Sequence, residues 1–320
     1  MTMRELAQLA NVSISAISKA FSDADDISKE TKDHIFKIAK ENGCYSKFYK
    51  GKFPKPIIAV IVPEINSVHY STYIEILEDI IESSGGIMLL SAFQFDCKKQ
   101  LELIDYYSEY LQVNGIIVFS MPETAKKDYQ APIVSLFNSK CNTVDSINVD
   151  TNTAFKKSID LLKELGHKNI AFAGEPLTTS RVTKFLEYYK PEGNPEDYIF
   201  TSNGRFEESG TECAEQILKS PIPFTAVVCA YDDIAVGVIK HLTEKGYNVP
   251  QDFSVIGNNN ISVSQYLGIS LTTIDPLYEK ICNAVWQLLK EKMKSKYYKP
   301  KKPIEFTAEL IVRDSVARAK

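Results

Sequence analysis

From Ile57 onward the chain alternates short apolar runs with amphipathic segments, and this alternation narrows its possible folds more than any other feature. IIAVIV reads as a buried strand, STYIEILEDIIESSG as a helix closing near Gly85, IMLLSAF as a strand, CKKQLELIDYYSEYLQV as a helix and GIIVFS as a strand. A second series, TAFKKSIDLLKELG, NIAFAG, TKFLEYYK, DYIFTS, GTECAEQILKS, FTAVVCA, DIAVGVIKHLTEKG and FSVIGN, continues helix then strand. Strands apolar on both faces and separated by helices form parallel sheets covered on each side. The count predicts two doubly wound lobes. The chain is expected to cross back near 271–276, return a helix around 281–290 to the first lobe, and end in one last strand within FTAELIVRDSV. Such lobes gather the carboxyl ends of their strands around one cleft, where a small ligand sits.

The first 43 residues follow another rule. In MTMRELAQLANVSISAISKAF, Thr2 followed by Glu5 forms a capping box, and Leu6, Leu9 and Ala10 make one apolar face. Asn11 tolerates the left-handed corner of a tight turn. Ser13 caps a second helix whose Ala16, Ile17 and Ala20 pack on the first, leaving Ile14, Ser15, Ser18 and Lys19 outward. Small and polar residues around one cation suit a helix entering a DNA major groove, although an ordinary surface helix has the same pattern. Ser28 caps a third helix, with Ile35, Ile38 and Ala39 inward and Gly43 as its stop. Three helices in about fifty residues make a small all-α headpiece of the helix-turn-helix type.

The run MTMRELAQLANVSISAISKAFSDADDISKETKDHIFKIAKENG resembles the DNA-binding headpiece of the LacI/GalR family of bacterial transcription regulators. It follows that family's pattern T-I-x-D-V-A-x-x-A-x-V-S-x-x-T-V-S-R-x-L-N, then V-S-x-x-T-R-x-x-V, almost position by position. Lys19 stands where the family usually has Arg, so a bidentate grip on guanine becomes a point-charge contact. Ile14 and Ser15 occupy base-reading positions, giving a small, partly apolar reading surface. Ser28 and Thr31 match positions that resemble phosphate contacts, which set register without reading sequence.

Between headpiece and lobes, CYSKFYKGKFPKP (44–56) is rich in Lys and ends in two prolines, and it reads as a linker. The resemblance implies a hinge there, a short helix that folds on operator DNA and inserts a leucine into the minor groove. The family's Pro-Asn, Ala and Arg are absent, Gly51 interrupts the segment, and Phe53 falls at the wedge position; a flexible tether is the alternative.

ELGHKNIAFAG, YDDIAVGVIKHLTEKGYNVPQDFSVIG, LTTID and LIVRDS resemble the family's ligand-binding domain, itself similar to periplasmic sugar-binding proteins. The resemblance implies two lobes that close on a small-molecule effector, a sugar or derivative, and face a twin subunit. Domain boundaries are accordingly expected at 1–43 (headpiece), 44–56 (hinge) and 57–320, with a first lobe of about 57–149 and 277–300 and a second of about 150–276 and 301–320. Arg181 in RVTKF matches an arginine that holds ligand hydroxyls, a role its planar fork suits, with a surface or lobe-closing ion pair as the alternative. Phe206 is the nearest aromatic to a position that stacks on a sugar face. Asn66 and Tyr70, after the first strand, sit where the first lobe reaches the ligand. Two departures stand out. Tyr231-Asp232 replaces the usual Asn-Asp, and Gly257-Asn258-Asn259-Asn260 replaces G-x-D-D, so Tyr231 and Asn259 mark a changed pocket. An unusual sugar, a purine-type ligand, a protein partner or no effector all remain open.

Bulk properties limit the alternatives. A length of 320 residues exceeds one ordinary core and predicts two or three domains. The net charge of −4 argues against nucleic acid globally, yet residues 1–56 carry ten basic side chains against seven acidic ones. Lys37, Lys40, Lys47, Lys50, Lys52 and Lys55 against Glu41 form the most basic run, which a solvated linker also explains. No targeting segment or membrane-length apolar run is present, so a cytoplasmic location is expected. Six widely spaced cysteines have no zinc or redox pairing and read as reduced thiols. No phosphate loop, dinucleotide fingerprint or nucleophile elbow occurs, and His34, His69, His167 and His241 lack metal-ligand spacing and read as surface or turn residues. Asp23, Asp25 and Asp26 lack the later ligands of a calcium loop. No cofactor, metal or enzymatic activity is expected.

The reading is therefore a helix-turn-helix headpiece joined to a periplasmic-binding-protein-like α/β domain. It would bind a pseudo-palindromic operator as a homodimer, without a coiled-coil tetramer, and act as a repressor modulated from the cleft. A small-molecule binding protein with weakened operator binding is the rival.

Overall fold

The computed structural model describes every residue except 23, 25, 49–54, 126, 127, 138–143 and 295–301. It separates into two compact units, Met1–Pro56 and Ile57–Lys320. The position of Phe53, with Lys50 and Lys52, lies outside the described residues.

In the first unit, α1 (Met3–Leu9), α2 (Ile14–Phe21) and α3 (Lys29–Glu41) are followed by a short α4 (Tyr45–Phe48). Local chemistry sets each boundary. The Thr2 hydroxyl accepts from Glu5 N while the Glu5 carboxylate accepts from Thr2 N, so the capping box forms. Ser13 Oγ accepts from Ala16 N at 3.1 Å and Ser28 Oγ from Thr31 N at 3.2 Å. Asn11 adopts φ 50° at the corner. Leu6, Ala10, Ile17, Ala20, Phe21, Ile35 and Ala39 fill the core. Leu9 is a correction to the expected inner face: it is 54 % exposed, and Ala7, two residues earlier on another side of the helix, is buried instead. A second correction concerns residues 44–56. Cys44 and Phe48 are buried in the headpiece core, with Phe48 5.8 Å from Phe21 and Tyr45 5.1 Å from Phe36, so the headpiece extends to at least Phe48.

The second unit contains the expected parallel sheets. The first sheet uses β1 (Ile57–Val62), β2 (Ile87–Ala92), β3 (Gly115–Phe119), β4 (Ile133–Leu136) and β5 (Asp145–Asp150), with α5 (Val68–Ser83) and α6 (Cys97–Asp105) on its faces. After α7 (Asn152–Glu164) come β6 (Ile170–Gly174), α8 (Thr179–Tyr189), β7 (Ile199–Thr201), α9 (Phe206–Lys219), β8 (Ala226–Cys229), α10 (Asp232–Glu244) and β9 (Ser254–Ile256). The chain ends with β10 (Thr273–Asp275), α11 (Tyr278–Lys294), β11 (Ile304–Thr307) and β12 (Glu309–Ile311). The six-stranded sheet runs β11-β5-β4-β3-β1-β2 and the four-stranded one β7-β6-β8-β9, all parallel.

Strand β1 is apolar throughout because both its faces are covered. Ile58, Val60 and Val62 pack with Tyr73 and Leu77 of α5 and Leu289 of α11, whereas Ala59 and Ile61 pack with Ile104 of α6 on the opposite side. In the second lobe α9 and α10 approach until their backbones touch: a Cβ on Gly210 would lie 2.0 Å from Ile234 O, and one on Gly237 2.0 Å from Glu207 O.

The end of the chain departs from the expected single strand in the second lobe. Strand β11 pairs in parallel with β5, Ile304 opposite Ile147, and so belongs to the first lobe. Helix α11 leaves the chain against the first sheet, whose β5 edge is open to the next strand. Only after Ala308, whose N–H donates to Asp150 O, does the chain cross, and β12 then pairs antiparallel with β10. Strands β4 and β5 were not among the expected strands. IVSL is short and interrupted by Ser135, and DSINVD alternates polar residues with apolar ones.

Both sheets reverse winding direction beside their first strand, β1 next to β3 and β6 next to β8. The loops leaving these strands therefore splay apart and open a crevice at the carboxyl ends.

Candidate functional site

In the headpiece, α2 buries Ile17, Ala20 and Phe21 and turns Ser13, Ile14, Ser15 and Ser18 outward. Ile14 is 45 % exposed, a large apolar side chain placed on a polar face. Lys19, also partly exposed, has its ammonium paired with the Asp26 carboxylate, which pushes the Asp26 acid below its usual range. A surface pair of this kind opens at small cost. The Ser28 and Thr31 hydroxyls are hydrogen-bonded to one another at 2.8 Å at the start of α3, where backbone N–H groups and the helix dipole favour a phosphate. His34, expected as a plain surface residue, has Nε2 3.2 Å from Ala10 O and ties α3 to the end of α1.

Between the lobes lies a cavity of about 220 Å³. Tyr70, Arg181, Phe206, Tyr231 and Asn259, named from the sequence, line it together. Asn66 does not: it is exposed outside the cavity, and Glu64 and Ser67 on either side contribute instead, because the loop after β1 turns its next side chain to solvent.

Four charged groups dominate the walls. Arg205 donates to Glu64 through Nη2 at 2.9 Å and Nη1 at 3.3 Å, and its Nε pairs with Glu175 at 2.9 Å, joining the two lobes. Desolvation acts to weaken the Arg205 charge, but the hydrogen bond it donates to Glu64 and the charge of Glu175 outweigh it and raise its pKa. The guanidinium also covers the Phe206 ring, 4.5 Å from its centre. Among the described residues Arg181 has no carboxylate partner of this kind. It donates to Ala230 O at the end of β8, and burial lowers its pKa. Two guanidinium groups thus face two carboxylates.

The remaining walls are neutral. Burial holds the His69 imidazole near pKa 3, with the Arg181 charge acting in the same direction, and its Nδ1 sits 2.7 Å from the Tyr278 hydroxyl. Tyr70 is pushed up to about 12, first by burial and then by Glu64. The Tyr231 phenol is raised by burial and by the nearby Glu175 carboxylate, yet its buried oxygen has no partner in hydrogen-bonding geometry. The Tyr231 side chain shares the cavity wall with Arg181 and Asn259. Neighbouring Asp232 is structural: it accepts from Thr273 Oγ1 at 2.6 Å and from Ile261 N at 2.9 Å. Asn260 is likewise fixed, by Arg313 and Asp275.

Glu64, Glu175, Arg205 and His69 were missed from the sequence. The available signal was position: Glu64 and Glu175 immediately follow the apolar runs IIAVIVP and NIAFAG, at the two places where the sheets reverse.

Comparison with known proteins assigns both units. Residues 2–45 match the bacterial regulatory proteins of the lacI family, and 159–316 match the periplasmic binding protein-like domain. The chain belongs to the LacI family of bacterial regulatory proteins. It is 29 % identical over 333 residues to the HTH-type transcriptional repressor CytR of Escherichia coli strain K12, covering 98 % of this chain and 96 % of that protein. In structure it is similar to a LacI-family transcriptional regulator from Silicibacter pomeroyi, with TM-score 0.77, 17 % identity and coverage of 99 % and 100 % of the two chains. It is also similar to an Enterococcus faecium LacI-family regulator with bound ribose, with TM-score 0.70, 22 % identity and coverage of 82 % and 100 %. These relatives are transcription regulators, not enzymes. Among the described residues no helix is long and apolar enough to cross a membrane.

Proposed function

We propose that this LacI-family protein is a repressor that binds a pseudo-palindromic operator as a homodimer and is modulated by a neutral hydroxylated small molecule, a sugar or derivative, in the interlobe cavity. Ser13, Ile14, Ser15, Ser18 and Lys19 read or flank the bases, and Ser28 and Thr31 hold phosphate. Phe53 remains the wedge candidate of the linker.

The observation that carries the ligand reading is the balance of the cavity walls. Arg181 and Arg205 face Glu64 and Glu175, and the open donors and acceptors are Arg181, Tyr231 and Asn259. Balanced charge disfavours a free anion or cation, while a guanidinium fork and a phenol suit vicinal hydroxyls. The ribose bound by the Enterococcus faecium regulator is a ligand of this chemistry. Closure on such a ligand changes the spacing of two headpieces, a coupling expected at about 1 to 3 kcal/mol.

Thermal unfolding with sugars, sugar phosphates, purines and amino acids tests this. Ligand at about 100 times its Kd adds roughly 2.7 kcal/mol of apparent stability. A neutral sugar that stabilises the wild type but not Arg181→Ala supports the reading. Stabilisation by sugar phosphates alone contradicts it.

A further inference from the structure

The polar cavity borders a second compartment of about 630 Å³ in the first lobe, with Tyr70 and Phe95 lining both. The polar part alone is smaller than the roughly 300–1,000 Å³ typical of small-molecule sites, whereas the two together fall within that range. Five aromatic rings, Tyr70, Phe93, Phe95, Phe119 and Phe137, contribute to the wall of the second compartment. Tyr70 meets Phe119 edge-on at 5.7 Å and Phe95 at 6.4 Å, and Phe119 lies 5.8 Å from Phe137. Gln100 is already committed, donating to Phe119 O at 3.0 Å and Ser120 O at 2.7 Å. The other polar lining residues, Ser120, Glu123 and Thr124, are exposed, and the buried lining beside Gln100 is Pro63, Phe93, Phe119 and Met121, which leaves an apolar inner wall.

The backbone is bent to build this wall. Where β2, β3 and β4 end, Gln94 and Phe95 take φ 55° and 59°, Ser120 59° and Phe137 60°. Each is a non-glycine residue in the left-handed region, which is costly for bulky side chains and persists where surrounding bonds enforce it. Those bonds are present: Gln94 N donates to Pro63 O at 2.6 Å, Ser120 N to Leu136 O at 2.7 Å and Phe137 N to Ile147 O at 2.8 Å. Three strands of one sheet thus each spend conformational strain at their carboxyl ends. Phe95, 44 % exposed at the junction, stands between the polar and apolar parts.

We propose that the ligand is an aryl glycoside: a neutral hydroxylated ring held at Arg181, Tyr231 and Asn259, joined to an apolar aromatic group that enters the first-lobe compartment among Tyr70, Phe95 and Phe119. This rests on the sugar reading of the polar cavity. An aromatic guest replaces water against ring faces and edges at the spacing that aromatic pairs prefer.

The test is calorimetric titration of the full chain with paired methyl and phenyl β-glucosides, β-galactosides and β-xylosides. For the sugar that binds, the phenyl member is expected to bind about tenfold or more tightly than the methyl member, from aromatic burial and ring contacts. Thr124→Trp fills the compartment from an exposed position that lines it but not the polar cavity. It should bring the phenyl-to-methyl ratio close to one while the methyl glycoside binds as before. Equal binding of the pair by the wild type, or a ratio that survives Thr124→Trp, overturns the aryl proposal and leaves the sugar reading standing. Failure of every glycoside of both kinds overturns both.

Discussion

The headpiece and the interlobe cavity are assembled at opposite ranges of the sequence. In the headpiece each defining bond spans three positions: Thr2 with Glu5, Ser13 with Ala16, Ser28 with Thr31. In the cavity, Arg205 reaches Glu64 across 141 positions and Glu175 across 30, and Arg181 reaches Ala230 across 49. A site made of local bonds is readable from spacing and tolerates replacement of single side chains. One made of distant charges exists only once the whole fold has formed, and loses it when one charge is removed.

The largest effect that sharpens this contrast is expected for Arg205→Leu. It leaves Glu64 and Glu175, with side chains 11 % and 1 % exposed, without the cation that bridges them. Loss of one partner from a buried ion pair costs about 3–5 kcal/mol, and about 3 is expected because Arg205 is itself 36 % exposed. Urea unfolding measures it, and adding Glu64→Gln and Glu175→Gln should restore much of the loss. If Arg205→Leu unfolds like the wild type, the cavity charges are not a coupled set.

In the headpiece, Lys19→Ala should weaken specific DNA binding by about 1–3 kcal/mol and leave unfolding unchanged. An equal loss on random DNA would reassign Lys19 to a phosphate.

Asp233 provides a pH test on the cavity side. Burial, followed by the Glu207 charge, raises its pKa to about 7, and among the described residues its buried Oδ2 has no hydrogen-bond partner. A carboxylic acid whose pKa is higher in the folded state favours folding while protonated, and this contribution disappears as pH rises from about 4 to about 7. Asp233→Asn should therefore match the wild type near pH 4 and exceed it by about 1–3 kcal/mol at pH 8. A constant difference across that range would exclude titration of Asp233 as the cause.

The smallest effect is expected for Ser13→Ala, about 1 kcal/mol from the lost cap of α2, seen in headpiece unfolding alone. A loss of ligand affinity in the same variant would break the separation of the two regions.

These ranges also explain what could be read from the chain beforehand. Caps, the left-handed Asn11 and the strand-helix alternation are written in neighbouring residues, and they yield the headpiece helices and both parallel sheets. The exceptions are sites where tertiary context decides. Leu9 has an apolar side chain at a helical spacing that suits the core, but it ends a seven-residue helix and faces water. β4 and β5 carry too few consecutive apolar residues to stand out, although their neighbours bury them. Nothing local in IEFT or ELI states that the first joins β5 and the second β10. In the cavity, Arg181 and Tyr231 were reached by resemblance, whereas Glu64 and Glu175 are marked only by their place after apolar strands, and Arg205 gains its role only beside them.

The most direct test of the account is selection of bound sequences from random duplex DNA by the full chain, repeated with Lys19→Ala. The account predicts an enriched inverted repeat whose half-sites are one headpiece wide, lost or relaxed at one position per half-site in the variant. Enrichment of no sequence by a folded protein, or the same repeat selected equally by Lys19→Ala, would contradict the claim that α2 reads the operator.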